Sequence, residues 1–192
     1  MQEKFKIIKD VIPVEFCHYI THIMLRNKDL VECGGDNQVP ECKSILSHEP
    51  IIETLQERMW GRFEKETGLQ LIPTYSYARL YENGHDMKAH TDRPACEISV
   101  TIQLGRSHHY AYPIYMDGQR IELAEGDAVL YRGMDVEHWR DVCDGADGYY
   151  SGQAFMHYVD KNGKHADQVG DPQRTDGIYS YKKDRSFLME FK

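Results

Sequence analysis

No stretch of this sequence comes near the ~20 consecutive apolar residues that a membrane-crossing helix requires. Positive charge is also scarce. Lys and Arg number 23 against 31 Asp and Glu, a formal charge of −8, which disfavours tight binding to a nucleic-acid backbone. Cysteine is sparse and odd in number: Cys17, Cys33, Cys42, Cys96 and Cys143 contain no C-x-x-C pair. That excludes a disulfide framework or a zinc knuckle and predicts reduced thiols. The first 16 residues carry acidic side chains and Pro13 and lack the apolar core of a signal peptide. No internal repeat or low-complexity linker interrupts the chain. What remains is 192 residues, 41% hydrophobic and 28% charged, which predicts one soluble, cytoplasmic globular domain with a sizeable core.

Residues 5–12 read as a short strand closed by Pro13, and residues 14–25 as a helix with Phe16, Ile20, Ile23 and Met24 at helical spacing. Residues 31–47 hold Gly34-Gly35, Asp36-Asn37 and Pro40 and read as a loop. A second helix is expected from 49 or 50 to 66, with a stripe of Ile52, Leu55, Met59 and Phe63 and a stop at Gly68. The period then changes from helical to two. Tyr75, Tyr77, Arg79 and Tyr81 share one face of a strand over 69–81. In residues 96–104, Ile98, Val100, Ile102 and Leu104 alternate with Glu97, Ser99, Thr101 and Gln103. Further strands are predicted at 112–116, 119–123, 128–132 and 152–159, with Asp117-Gly118 as a hairpin turn. The fold class is therefore α+β and mainly β. Helical support occupies about 1–68, an antiparallel barrel or sandwich about 69–160, and a polar tail 161–192.

Ten histidines and 31 acidic residues in 192 positions predict about 1.6 chance matches to H-x-[D/E], and there are two. His165-Ala166-Asp167 lies in the tail with no histidine after it. His90-Thr91-Asp92 precedes an alternating strand and is followed, several strands later, by His138. Two imidazoles and one carboxylate on one face of an octahedron are the ligand set of non-haem Fe(II), leaving three open positions.

The segment Tyr81-Glu82-Asn83-Gly84-His85-Asp86-Met87-Lys88-Ala89-His90-Thr91-Asp92 resembles the motif Y-x-x-G-x-x-[aromatic]-x-x-H-x-D of prolyl 4-hydroxylase-like 2-oxoglutarate/Fe(II) dioxygenases. Glu125-Gly126-Asp127-Ala128-Val129-Leu130 and His138 resemble that family's later strand and distal histidine, so the likeness spans about residues 75–160. It implies a double-stranded β-helix (jelly-roll) core buttressed by the N-terminal helices. It further implies consumption of O2 and decarboxylation of 2-oxoglutarate to succinate, coupled to hydroxylation of a C–H bond in a small-molecule or peptidyl substrate. On the matching positions, His90, Asp92 and His138 are the implied Fe(II) ligands. Tyr81 is the implied partner of the distal carboxylate of 2-oxoglutarate.

Two positions depart from the pattern. Met87 stands where an aromatic is usual. The family's Lys or Arg about ten residues past the distal histidine is missing: position 148 is Gly, and no Lys or Arg occurs from 141 to 160. A buried dianion still needs a cation. Arg140 is the first choice and Arg79, on the face of Tyr81, the second. Arg140 has a plainer alternative as a surface partner of Glu137 or Asp141. Arg93 and Glu97 are expected to form an orienting ion pair, His157 to pack in a strand, and His108 and His109 to be solvated in a loop. Two other functions fit the same residues: a cupin-like metal-binding protein or isomerase without oxygenase activity, and an inactive structural module. Neither the prime substrate nor the oligomeric state follows from the residues.

Overall fold

The computed structural model describes residues 3–28, 38–39, 45–47, 50–108 and 110–169. Most of the loop expected at 31–47, His109, and the tail beyond 169 lie outside the described residues.

After strand β1 (Phe5–Ile8), Pro13 starts helix α1 (Val14–Asn27). Its carbonyl accepts the Phe16 and Cys17 N–H groups at 3.0 and 3.1 Å, so the first turn is closed without a side-chain cap. Cys17, Ile20, Thr21 and Met24 form the buried stripe. Thr21 Oγ accepts the Gly105 N–H at 2.9 Å and pins the helix to the sheet. Strand β2 (Ile45–Ser47) is short and was not expected. Helix α2 (Pro50–Thr67) buries Ile52, Leu55, Trp60 and Phe63, and ends where the Gly68 N–H meets the Glu64 carbonyl at 2.8 Å.

The remaining strands are β3 (Leu71–Glu82), β4 (Met87–His90), β5 (Ile98–Arg106), β6 (Ile114–Met116), β7 (Gln119–Ile121), β8 (Ala128–Tyr131), β9 (His138–Arg140) and β10 (Tyr150–Asp160). They form two antiparallel sheets, a six-stranded one in the order β1-β8-β5-β10-β3-β2 and a four-stranded one in the order β4-β9-β6-β7. The β6–β7 turn is the expected Asp117-Gly118 pair, with φ of 47° and 81°, the two positive values a type I′ hairpin turn needs. β4 and β9, four and three residues long, are too short to show alternation and were not predicted as strands.

Two apolar clusters follow from the alternation. Ile98, Val100, Ile102 and Leu104 of β5, with Ala128 and Leu130 of β8, face α1 and α2 and pack on Ile20, Met24, Ile52 and Phe63. Each of these Ile, Val, Leu, Met and Phe side chains, fully buried, contributes about 1.5–3 kcal/mol. The other cluster lies on the inner side of the large sheet and includes Tyr81, Met87, Ile114, Met116, Tyr131 and Phe155. Where β10 slips against β3 between His157 and Tyr158, Gln56 of α2 donates to the carbonyls of both His157 and Tyr75, at 2.8 and 3.1 Å. A buried amide thus satisfies the carbonyls that the irregular ladder exposes.

Candidate metal centre

His90 ends β4 and His138 begins β9, and the two are register partners across the small sheet. Their ring centroids are 4.3 Å apart. Asp92 follows two residues after His90, and its backbone N–H donates to the Gly133 carbonyl at 2.8 Å. A Cβ at Gly133 would collide with Asp92 Oδ2 and the Cys96 carbonyl, so only glycine lets the 130s loop pass so close to the carboxylate.

The three side chains converge. Asp92 Oδ1 is 3.8 Å from His90 Nε2 and 3.7 Å from His138 Nε2. His90 Nδ1 lies 2.7 Å from the Lys88 carbonyl and His138 Nδ1 3.0 Å from the Val136 carbonyl. A carbonyl can only accept, so each Nδ1 carries the proton and each Nε2 presents a lone pair to the same point. His90, Asp92 and His138 form a group able to hold a metal ion.

Electrostatics favour a cation there. Burial pushes the Asp92 carboxyl up to about 6, against the opposing pull of the Ser99 hydrogen bond and the charges of His90 and Arg93. Burial lowers both histidines, helped at His90 by its neighbour His138 and at His138 by Arg140. Neutral imidazoles beside a poorly solvated carboxylate are the protonation states a divalent ion selects.

A cavity opens at this group, lined also by Tyr75, Tyr77, Phe155 and His157. Deeper, Tyr81, Arg79 and Arg140 meet. Arg79 Nη1 donates to the Tyr81 hydroxyl at 3.2 Å, and the Arg140 guanidinium stands 5.3 Å from the Tyr81 ring centre. Both arginines are buried, at 0% and 2% exposure. Neither arginine lines the cavity: the Arg79 guanidinium lies against the Tyr77 and Phe155 rings, which do, and Met87, another lining residue, is the register partner of Arg140. Arg140 Nη1 donates to the Tyr112 carbonyl at 2.6 Å, its Nε has no hydrogen-bond partner, and no carboxylate among the described residues pairs with it. The surface pairing with Glu137 or Asp141 is therefore wrong, because β9 turns residue 140 to the same inner side as residue 138.

Other expectations are also corrected. Arg93 and Glu97 do not pair: the Arg93 guanidinium lies 5.0 Å over the Tyr75 ring, and Glu97 accepts the Asp160 N–H at 2.9 Å. His157 packs in β10 as expected, but it also faces the cavity and lies 2.9 Å from Ser99 Oγ. His165 precedes and Asp167 lies within a 3₁₀ turn, Ala166–Gln168, and neither joins a metal-competent group among the described residues. Ser99 and Gly133 were missed. A polar residue on the inner face of a buried strand was the available signal for Ser99, whereas nothing local marks Gly133.

No family profile and no curated protein matches this chain. Solved structures do. A viral collagen prolyl hydroxylase from Paramecium Bursaria Chlorella virus-1, in its 2-oxoglutarate complex, superposes with a TM-score of 0.62 at 10% identity, covering 82% of this chain and 96% of that one. A Pseudomonas putida prolyl-4-hydroxylase gives 0.58 at 14% identity, with 81% and 93% covered. HygX from Streptomyces hygroscopicus, with nickel and 2-oxoglutarate bound, gives 0.61 at 10% identity, with 83% and 84% covered. The chain has the fold of the 2-oxoglutarate/Fe(II) oxygenases, prolyl hydroxylases among them.

Proposed function

We propose that this protein is a non-haem Fe(II) oxygenase in which His90, Asp92 and His138 hold the iron. On this reading it couples decarboxylation of 2-oxoglutarate to hydroxylation of a C–H bond in a small-molecule or peptidyl substrate. The observation that carries the reading is the convergence of two Nε2 lone pairs and one carboxylate oxygen, with both Nδ1 atoms tied to backbone carbonyls. The chain is read as one domain whose strands β3 to β10 pass back and forth between the two sheets as a double-stranded β-helix does.

Bound iron and 2-oxoglutarate supply oxidation by O2, and the protein supplies geometry. His90 and His138 keep neutral imidazoles aimed at one point. The aromatic wall of Tyr75, Tyr77 and Phe155 excludes water from that point. The distal carboxylate of 2-oxoglutarate is assigned to Arg140, with Tyr81 beside it and Arg79 as second choice. A buried guanidinium without a carboxylate partner among the described residues supports Arg140, since an unpaired internal charge is costly until an anion meets it.

Anaerobic addition of Fe(II) and 2-oxoglutarate to apo protein tests this by the visible metal-to-ligand band of a chelated 2-oxo acid. The band is expected in the wild type and absent in His138→Ala and Arg140→Ala. Loss in Arg79→Ala with retention in Arg140→Ala would move the clamp to Arg79. Iron binding without a band in the wild type would overturn the oxygenase reading.

A further inference from the structure

We propose that Ser99 and His157 form a positioning pair that fixes the Asp92 carboxylate in a single orientation, leaving one oxygen for the metal. The inference rests on the metal-site reading above. Ser99 Oγ stands 2.9 Å from Asp92 Oδ2, 2.9 Å from His157 Nδ1 and 3.1 Å from the Cys96 carbonyl. A hydroxyl has one proton to give, and two of these three neighbours can only accept it. If His157 donates from Nδ1, the Ser99 proton is free for an acceptor, and the shorter bond to a charged carboxylate wins over the longer one to a carbonyl. The chain of donation then runs His157 to Ser99 to Asp92 Oδ2. Oδ2 is held back, and Oδ1 is the atom facing both Nε2 atoms.

The groups involved are locked by the fold. Ser99 is fully buried and His157 nearly so. They are register partners on adjacent strands, β5 and β10, so the sheet itself sets their separation. The Tyr75 ring packs against His157 at a 34° tilt with ring centres 4.4 Å apart, which restricts rotation of the imidazole. Gly133 closes the other side of the carboxylate, and a Cβ there would also strike Ser99 Oγ. Rotation of Asp92 that brought Oδ2 toward the histidines would break the Ser99 bond with no other donor at hand among the described contacts.

Titration of the purified apo chain with Co(II), followed by its d–d absorption, reads both affinity and coordination number. Ser99→Ala is expected to weaken Co(II) binding roughly 10–100-fold, as for other outer partners of metal ligands. It should also change the band intensity, because a released Oδ2 can become a second metal-bound oxygen. Ser99→Thr should restore both, and melting of the apo variants should stay close to wild type. In a double-mutant cycle, His157→Phe should weaken binding alone and add nothing to Ser99→Ala, because it acts through the hydroxyl. Wild-type affinity and spectrum in Ser99→Ala, or additive losses in the cycle, would overturn the proposal. A wild-type protein that takes up no Co(II) would overturn the metal-site reading itself.

Discussion

The two faces of the large sheet use the same strands for opposite ends. On β5, Ile98, Val100, Ile102 and Leu104 look toward α1 and α2, while Ser99, Thr101 and Gln103 look inward. On β10, Ala154, Met156 and Tyr158 look outward, and Gln153, Phe155 and His157 look inward. Both faces are almost fully buried, yet the outer holds hydrocarbon and the inner holds hydroxyls, amides, an imidazole and rings. The outer face stabilises the fold. The inner face carries groups that are expensive to bury and are tolerated because each meets a partner, or because a ligand supplies one.

The largest test of this division removes a ligand. His138→Ala should reduce Fe(II) or Co(II) affinity at least about 100-fold, beyond the usual effect of losing an outer partner. Calorimetric titration measures this, and the melting temperature of the apo protein should barely change. Equal metal affinity in the variant would remove the inner face from the chemistry.

The converse variant lies on the outer face. Ile102→Ala, at a fully buried position between sheet and helices, should cost about 2–5 kcal/mol. For a chain of this size that lowers the melting temperature by roughly 5–15 °C. Metal affinity measured well below the transition should match the wild type.

The smallest and sharpest effect concerns charge. Burial raises Asp92 to about 6, above an ordinary carboxyl, so the folded apo protein binds this proton more tightly than the unfolded chain does. Its contribution to stability is therefore present at low pH and lost as pH rises through about 6. Asp92→Asn should melt a few degrees higher than wild-type apo protein at pH 7.5 and no higher near pH 4. The same variant should lose metal binding, and wild-type metal affinity should fall as pH drops below about 6. A pH-independent difference in melting would mean that the carboxylate is not penalised by burial.

How much of this was legible beforehand differs by element. The long strands β3, β5 and β10 and both helices could be read because nine or more residues are enough to display a period. The motif around His90 and Asp92 pointed to the metal group, and the turn and strand from Glu125 to Tyr131, with enough chain before them for several strands, singled out His138 among the later histidines. β4 and β9, which bring those histidines together, could not be read: β6, β7 and β8 are as short but are marked by the Asp117-Gly118 and Glu125-Gly126-Asp127 turns, and β4 and β9 have neither such a turn between them nor enough residues to alternate. For Arg140, the sequence left an inward role beside His138 and a surface pairing with Glu137 or Asp141 equally open. Only the register of β9 against β4 buries it.

The sequence by itself therefore determined the composition of each face, the fold class and the types of side chain available for chemistry, because these depend on local period and residue identity. Only the tertiary structure decided which atoms meet. Ser99 reaches Asp92 and His157 across 7 and 58 residues of chain, and Gly133 passes Asp92 from a different loop. Such contacts are set by strand register and close packing between distant segments, quantities that no local pattern encodes.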